Sequence, residues 1–219
     1  MPSSTSLKHN TRLLIIGAGD HGRVVADCAE QLSRYDTIEF LDDSFNHDDE
    51  ATHVSGNWSV IDKVDQWQNH TSDTEFIVAF GNNQLRLSTY EHLLDNGASM
   101  VSVIHPNAVI SQYAQIGTGT VVMAGAVINY NSVIGHACII NTLASVDHDC
   151  NIKNGVHLAP RSSLAGGVDV GDASWIGIGS VVIEYKKIAN NIQIGAGGVV
   201  INNLENAGVY VGNPARILQ

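Results

Sequence analysis

No stretch of the chain approaches the roughly eighteen consecutive apolar residues that a bilayer-spanning helix needs, and the opening MPSSTSLKHN lacks the apolar core of a secretion signal. The expectation is a cytoplasmic protein with no membrane partner. Cysteine is scarce. Cys28, Cys138 and Cys150 are an odd count without CxxC spacing, which argues against a disulfide framework or a zinc site, so each reads as a small buried hydrophobe. Basic residues are few: 11 Lys and Arg stand against 22 Asp and Glu, a formal charge of −11. A nucleic-acid partner would need the opposite balance, because such binding draws most of its affinity from cations on phosphates. Any phosphorylated ligand must be held locally, against the overall field.

What the chain has in abundance is a period. An apolar residue recurs every six positions without insertion or deletion: Ile104, Ile110, Ile116, Val122, Ile128, Ile134, Ile140, Val146, Ile152, Leu158, Leu164, Val170, Ile176, Val182, Ile188 and Ile194. Six fits neither the 3.6 of a helix nor an alternating strand. It fits a solenoid of very short strands, in which three hexads close a triangular coil of about eighteen residues with its apolar side chains stacked inside. Sorted by eighteen, the series makes three ladders, one for each face of a prism. Ile110 to Val182 form one, Ile116 to Ile188 the second and Val122 to Ile194 the third.

Ahead of the repeat the pattern changes. Leu13 to Ile16 reads as a strand, the GAGDHG turn of Gly17 to Gly22 follows, and a helical pattern runs through Val24, Val25 and Cys28. A second strand, Thr37 to Leu41, ends in Asp42 and Asp43. A third, Phe76 to Phe80, ends in Gly81, Asn82 and Asn83, and a fourth near Met100 to Ile104 leads into the solenoid. This alternation predicts an α/β domain with a small, Rossmann-like parallel sheet over residues 1–102, followed by a β-helix domain over 103–219. The three polar turns would share the carboxyl edge of the sheet, where glycines let backbone approach a phosphate and an acid can accept from a ribose or base. Gly17, Gly19 and Gly22, with Asp42 twenty residues beyond, also satisfy the GxGxxG fingerprint of dinucleotide binding. About 100 residues hold only half of a dinucleotide domain, so a mononucleotide-sized ligand fits better.

The hexad pattern resembles that of the hexapeptide-repeat acyltransferases, and GAGDHG, FLDD and FGNN resemble the bacillosamine-type and sialic-acid-type sugar acetyltransferases. The resemblance implies a left-handed parallel β-helix, a homotrimer, acetyl-CoA as co-substrate, no metal, and a nucleotide-linked amino sugar as acceptor. Position by position it places Gly19, Asp20 and His21 at the diphosphate or sugar, Asp42 and Asp43 at the base, and Gly81 and Asn141 at the acceptor. The stretch NTLASVDHDC carries His148 as general base and Asp149 as its supporting carboxylate. The compared family member has Glu where Asp149 stands, which leaves open whether the shorter side chain reaches the imidazole directly or through water or Asp147. His157, in GVHLAP, matches a histidine that contacts the acetyl group, while Gly166, Ile178 and Ala196 match positions that line the pantetheine, near the glycine-rich run Gly195, Gly197 and Gly198. Lys186, Lys187 and Arg216 are candidates for the CoA phosphates, and VYVGNPARIL resembles the family's closing segment.

His148 and His157 are nine residues apart, half a coil, so they belong on different sides of the prism. A site that uses both is expected to draw them from neighbouring subunits. The first acceptor implied is UDP-2-acetamido-4-amino-2,4,6-trideoxyglucose, acetylated on its 4-amino group to UDP-di-N-acetylbacillosamine. The alternatives are a GDP- or dTDP-linked 4-amino-6-deoxy sugar, a sugar O-acetyltransferase, or, in another class, an NAD-binding or non-catalytic hexapeptide scaffold.

Overall fold

Leu13, Leu14, Ile15 and Ile16 are wholly buried, the mark of a central parallel strand covered on both sides. The computed structural model describes residues 11–218, so MPSSTSLKHN and Gln219 lie outside the described residues. The central strand β1 (Arg12–Ile16) pairs in parallel with β2 (Thr37–Leu41) and β5 (Thr74–Val78). Helix α1 (Asp20–Glu30) follows β1 and buries Val25, Ala26, Cys28 and Ala29. Helix α2 (Asn83–Asp95) follows β5. Gly22 lets α1 start hard against the preceding turn, since a Cβ there would lie 2.0 Å from the Gly17 carbonyl oxygen.

Two features depart from the sequence reading. A hairpin of β3 (Val54–Ser55) and β4 (Trp58–Asp62), turning on Gly56 and Asn57, extends the sheet beyond β2, in the order β3-β4-β2-β1-β5. The expected fourth strand divides: Met100 bridges Phe76, whereas Val103–Ile104 already belongs to the solenoid.

From there the chain winds as a parallel β-helix whose strands pair at an offset of eighteen residues, as in Val127↔Ser145 and Ser145↔Ser163. Its first face carries the strands ending in Ile110, Ile128, Val146, Leu164, Val182 and Val200. The second carries Ile116, Ile134, Ile152, Val170 and Ile188, and the third runs from Ile104 through Val122, Ile140, Leu158, Ile176 and Ile194 to Tyr210. These are the three ladders of the sequence, lengthened at the top. From Gly119 to Gly197 each corner turns on one left-handed residue, at Asn131, Ala137, Leu143 and Asp149 with φ between 52° and 59°, and at Gly125, Gly155, Gly167 and Gly179 among others. A side chain in this region costs roughly 1–2 kcal/mol, which the paired coils must offset.

The outward positions distinguish the faces. The second presents Gln115, Asn151, Asp169 and Lys187. The earlier coils of the third are covered by the sheet domain, with Val103, Val121 and Met123 packed into the core beneath α1. The first presents Val109, Ser145, Ser163 and Val181, of which Val109 and Val181 are exposed.

Candidate active site

The corner after Val146 turns Asp147, His148 and Asp149 outward before Cys150 returns to the core. Asp149 adopts φ 57°, and its Oδ2 lies 2.8 Å from His148 Nδ1, so the shorter carboxylate reaches the imidazole directly. Asn131, one coil below, donates to the other oxygen of Asp149 at 2.6 Å. Asn129 does the same for Asp147 at 3.0 Å, and Asp147 also accepts the His148 backbone N–H at 2.8 Å. The Asp149 hydrogen bond, with the charges of Asp147 and Asp149, raises the His148 pKa. Asn131 and His148 hold the Asp149 carboxyl below its ordinary value. With Nδ1 donating to Asp149, Nε2 is the acceptor nitrogen. The ring lies over Gly166, where a Cβ would come within 2.5 Å of Cε1 and Nε2.

His157 occupies a different setting. It is 6% exposed on the third face, with Trp175 of the next coil at 4.2 Å between ring centroids and His21 of α1 at 6.3 Å. Asn141 Nδ2 lies 3.1 Å from His157 Nε2. With that amide donating, His157 carries its proton on Nδ1, which is buried without a partner among the described residues, as is His21 Nε2. Burial, and then the charge of Arg86, lower His21 to about 4. Burial, Arg86 and His21 lower His157 to about 3. Both imidazoles are therefore neutral near pH 7.

The polar turns of the sheet domain separate more than the sequence suggested. Gly19 caps α1 with no side-chain acceptor, leaving first-turn N–H groups free for an anion. Asp20 is exposed and paired with Arg23, whose Nη1 donates to Ser55. The Asp42 carboxylate is used internally, accepting from Ala18 N at 2.7 Å and from the Ser44 backbone and hydroxyl at 2.9 and 2.6 Å. Burial alone would raise its pKa, but these hydrogen bonds outweigh burial and lower it. Gly19, Asp42 and Ser44 line a cavity of about 290 Å³. Asp43 instead accepts from Val64 N at 3.2 Å and lines a separate cavity of about 500 Å³ beside Trp67 and His92. The two carboxylates are thus not brought together on one ligand group, because the chain turns from Asp42 to Phe45 and sends them to different sides. Gly81 borders a third cavity, of about 350 Å³, between the start of α2 and Trp175 and Gln193 of the third face.

Ile178 and Ala196 are exposed and stacked on the corner between the third and first faces, whereas His148 and Gly166 share the corner between the first and second. Within one chain the first face separates these two sets. Leu143 and Ile178 on one edge of that face, and Tyr130 and Tyr185 on the other, are also exposed. Lys187 makes a loose 3.9 Å pair with Asp169 on the second face, and Arg216 donates to the Ala215 carbonyl. Asn129 and Asn131 were not anticipated, although subtracting one coil of eighteen from Asp147 and Asp149 finds both. Arg86, which touches neither motif in sequence, had no such signal. Among the described residues no group of three His, Cys, Asp or Glu side chains could hold a metal ion, and no helix is long and apolar enough to cross a membrane.

Comparison with known proteins adds to this geometry. The family profile of the PglD N-terminal domain matches residues 12–93. The chain is 34% identical over 148 residues to GDP-perosamine N-acetyltransferase of Escherichia coli O157:H7, covering 64% of this chain and 66% of that protein. It is 36% identical over 113 residues to UDP-N-acetylbacillosamine N-acetyltransferase of Bacillus subtilis (strain 168), covering 50% of each. The aligned stretches thus span about half to two thirds of these curated relatives. The solved acetyltransferase domain of PglB from Neisseria gonorrhoeae FA1090, in complex with acetyl coenzyme A, matches with a TM-score of 0.90 at 35% identity, covering 95% of this chain and 100% of that one. Sheet domain and solenoid are matched together, and the solenoid is the left-handed parallel β-helix of that structural class. The chain belongs to the family of hexapeptide-repeat acetyltransferases of nucleotide-linked amino sugars.

Proposed function

We propose that the chain moves the acetyl group of acetyl-CoA to the 4-amino group of a nucleotide-linked sugar, with His148 as general base and Asp149 as its supporting carboxylate. The observation that carries this reading is the 2.8 Å His148–Asp149 hydrogen bond, which leaves Nε2 free at an exposed corner. The amine nitrogen attacks the thioester carbonyl carbon, and Nε2 takes the proton that the nitrogen gives up. The carbon–sulfur bond then breaks, and the departing thiolate takes that proton back from the imidazolium. Asp149 fixes the tautomer and stabilises the imidazolium while it exists.

The acceptor would lie across Gly19, Asp20, His21 and Gly81, with Asp42 holding the glycine turn in shape and Asn141 orienting His157. The unpartnered Nδ1–H of His157 suits the oxygen of the acetyl group as it gains charge. Gly166, Ile178 and Ala196 would line the pantetheine, but a cofactor touching all three cannot be served by one copy, since the first face intervenes. Three copies packed through their first faces about a threefold axis set the His148 edge of one against the Ile178 edge of the next. The exposed Val109 and Val181 on that face, with Leu143 and Ile178 along its edge, support that assembly. Each site would then combine His148 of one subunit with His157 and the GAGDHG turn of its neighbour. A cytoplasmic setting belongs to the same proposal.

UDP-2-acetamido-4-amino-2,4,6-trideoxyglucose is the first acceptor proposed, in keeping with the Bacillus subtilis relative. GDP-perosamine is the second reading, favoured by the longer alignment with the Escherichia coli relative. Thiol release from acetyl-CoA, measured with UDP-, GDP- and dTDP-linked 4-amino-6-deoxy sugars on wild type and His148→Ala, tests both. Turnover of one sugar, lost in the variant, is the expected result. The absence of turnover with every 4-amino sugar would overturn the N-acetyltransferase reading.

A further inference from the structure

Helix α2 lies along the corner between the second and third faces, and the pitch of a helix, 5.4 Å per turn, nearly matches the 4.7–4.9 Å between paired strands. Residues one turn apart on α2 therefore reach successive coils. The Tyr90 hydroxyl lies 2.5 Å from the Thr118 hydroxyl and 3.0 Å from His136 Nδ1. Arg86 donates from Nε to the Ala137 carbonyl and from Nη2 to the Gly155 carbonyl, both at 2.8 Å. Asn83 Nδ2 donates to the Ser174 carbonyl at 2.9 Å and the Ala173 carbonyl at 3.2 Å.

Arg86 differs from the others in carrying charge. It is 0% exposed, and its remaining bonds, to the Phe80 carbonyl and to Asn83 Oδ1 at 2.9 Å each, are also to neutral acceptors. No carboxylate lies within 4.0 Å of it among the described residues. Burial pulls its pKa down to about 10, so it stays charged near pH 7. An unpaired buried cation is expensive, and neutral donors could serve the same carbonyls. Docking alone does not account for retaining the charge.

We propose that Arg86 is a positioning residue for the acceptor cleft: it fastens α2 across two coils, one of them through the Gly155 carbonyl two residues before His157, and it sets a fixed positive charge behind the His21–His157 pair. The inference rests on the acetyltransferase reading of that cleft. The groups that face the pair and could titrate are few. From α1 there is His21 itself, from α2 Arg86, and from the third face His157, with Cys138 close to Arg86. Burial raises the Cys138 thiol to about 11, so it does not neutralise the guanidinium. The charge of Arg86 acts on both imidazoles in the same sense as burial, keeping each neutral and able to offer one N–H and one lone pair.

The test is an NMR titration of the imidazoles in the full-length protein, together with steady-state kinetics. In wild type, His21 and His157 are expected to remain neutral down to about pH 4. Arg86→Gln removes the charge, and Asn83→Asp places a carboxylate against Nη2 while leaving Arg86 in place. Both variants should move the two titrations upward and lower kcat/KM, by on the order of 100-fold where the cleft shifts by an ångström. Arg86→Lys should keep the titrations near those of wild type. Titrations that do not move in Arg86→Gln or in Asn83→Asp, or a wild-type pair that charges near its ordinary value, overturn the proposal. Asn83→Asp also guards against Arg86→Gln failing to fold. The titrations need no acetyl transfer, so they report on Arg86 even if the acceptor assignment fails.

Discussion

Asp149 folds its carboxylate back onto the residue before it, Oδ2 to His148 Nδ1 at 2.8 Å, while its backbone adopts the left-handed conformation shared by the corners of the prism from Gly119 to Gly197. The solenoid turn and the proposed catalytic pair are one structure. Asp149→Asn should keep the turn, since asparagine tolerates left-handed φ, but remove the charge that raises His148. With His148 as the proposed base, activity requires its neutral form and so rises with pH through the pKa of that residue. In the variant this rise should move to lower pH, and kcat should fall by about 10-fold or more, short of the roughly 100- to 10,000-fold that the whole general base contributes. A pH profile of kcat/KM for both proteins checks the shift. An unmoved profile would separate Asp149 from the titration of His148.

Gly166 offers a second test, because its backbone does not need glycine while its neighbour's does. A Cβ at Gly166 would lie 2.5 Å from the His148 ring, and its φ lies outside the left-handed range that Gly167 occupies at 68°. Gly166→Ala should therefore fold with little loss of melting temperature and push the imidazole from its place. The expected result is a fall in kcat on the order of 100-fold, the penalty for a misplaced catalytic group. Wild-type turnover in a folded variant would mean that the ring position over Gly166 is not the working one.

Much of this architecture was legible because a solenoid writes itself locally: every rung from Ile110 to Ile194 repeats the same demand, a buried β-branched residue or Leu, at a fixed interval. The corner position of His148 followed from the same count. The β3–β4 hairpin was missed because two strand residues before a Gly-Asn turn leave too short a pattern to read. The separation of Asp42 from Asp43 depends on the turn from Asp42 to Phe45, whose geometry their adjacency in sequence does not fix. Arg86 was invisible because its partners, Ala137 and Gly155, are backbone carbonyls, which any sequence supplies.

The proposed division of the site between copies yields a complementation test. His148→Ala and His157→Ala subunits, each inactive alone, should regain activity when unfolded together and reassembled. If His148 and His157 come from adjacent subunits, random mixing in equal amounts leaves about a quarter of sites with both wild-type histidines. Activity near that fraction of wild type is the expected outcome. Mixed assemblies no more active than either parent would place both histidines' functions within one subunit.

The neutral pair beneath the sheet domain should also set how stability responds to acid. Folded pKa values of about 4 for His21 and about 3 for His157 lie below the ordinary 6.5 they regain on unfolding. Unfolding therefore takes up protons below pH 6.5, so the stability present above that value is lost as pH falls toward the folded pKa values. By pH 5 each histidine should have cost roughly 2 kcal/mol. The depressed carboxylates of Asp42, Asp147 and Asp149 act only at lower pH, and the raised pKa of exposed His148 works weakly in the opposite sense. Urea unfolding at pH 7 and pH 5 measures the loss, and His21→Gln should remove about half of it. A wild-type stability that stays flat across this window would mean that neither imidazole stays neutral when the protein is folded in solution.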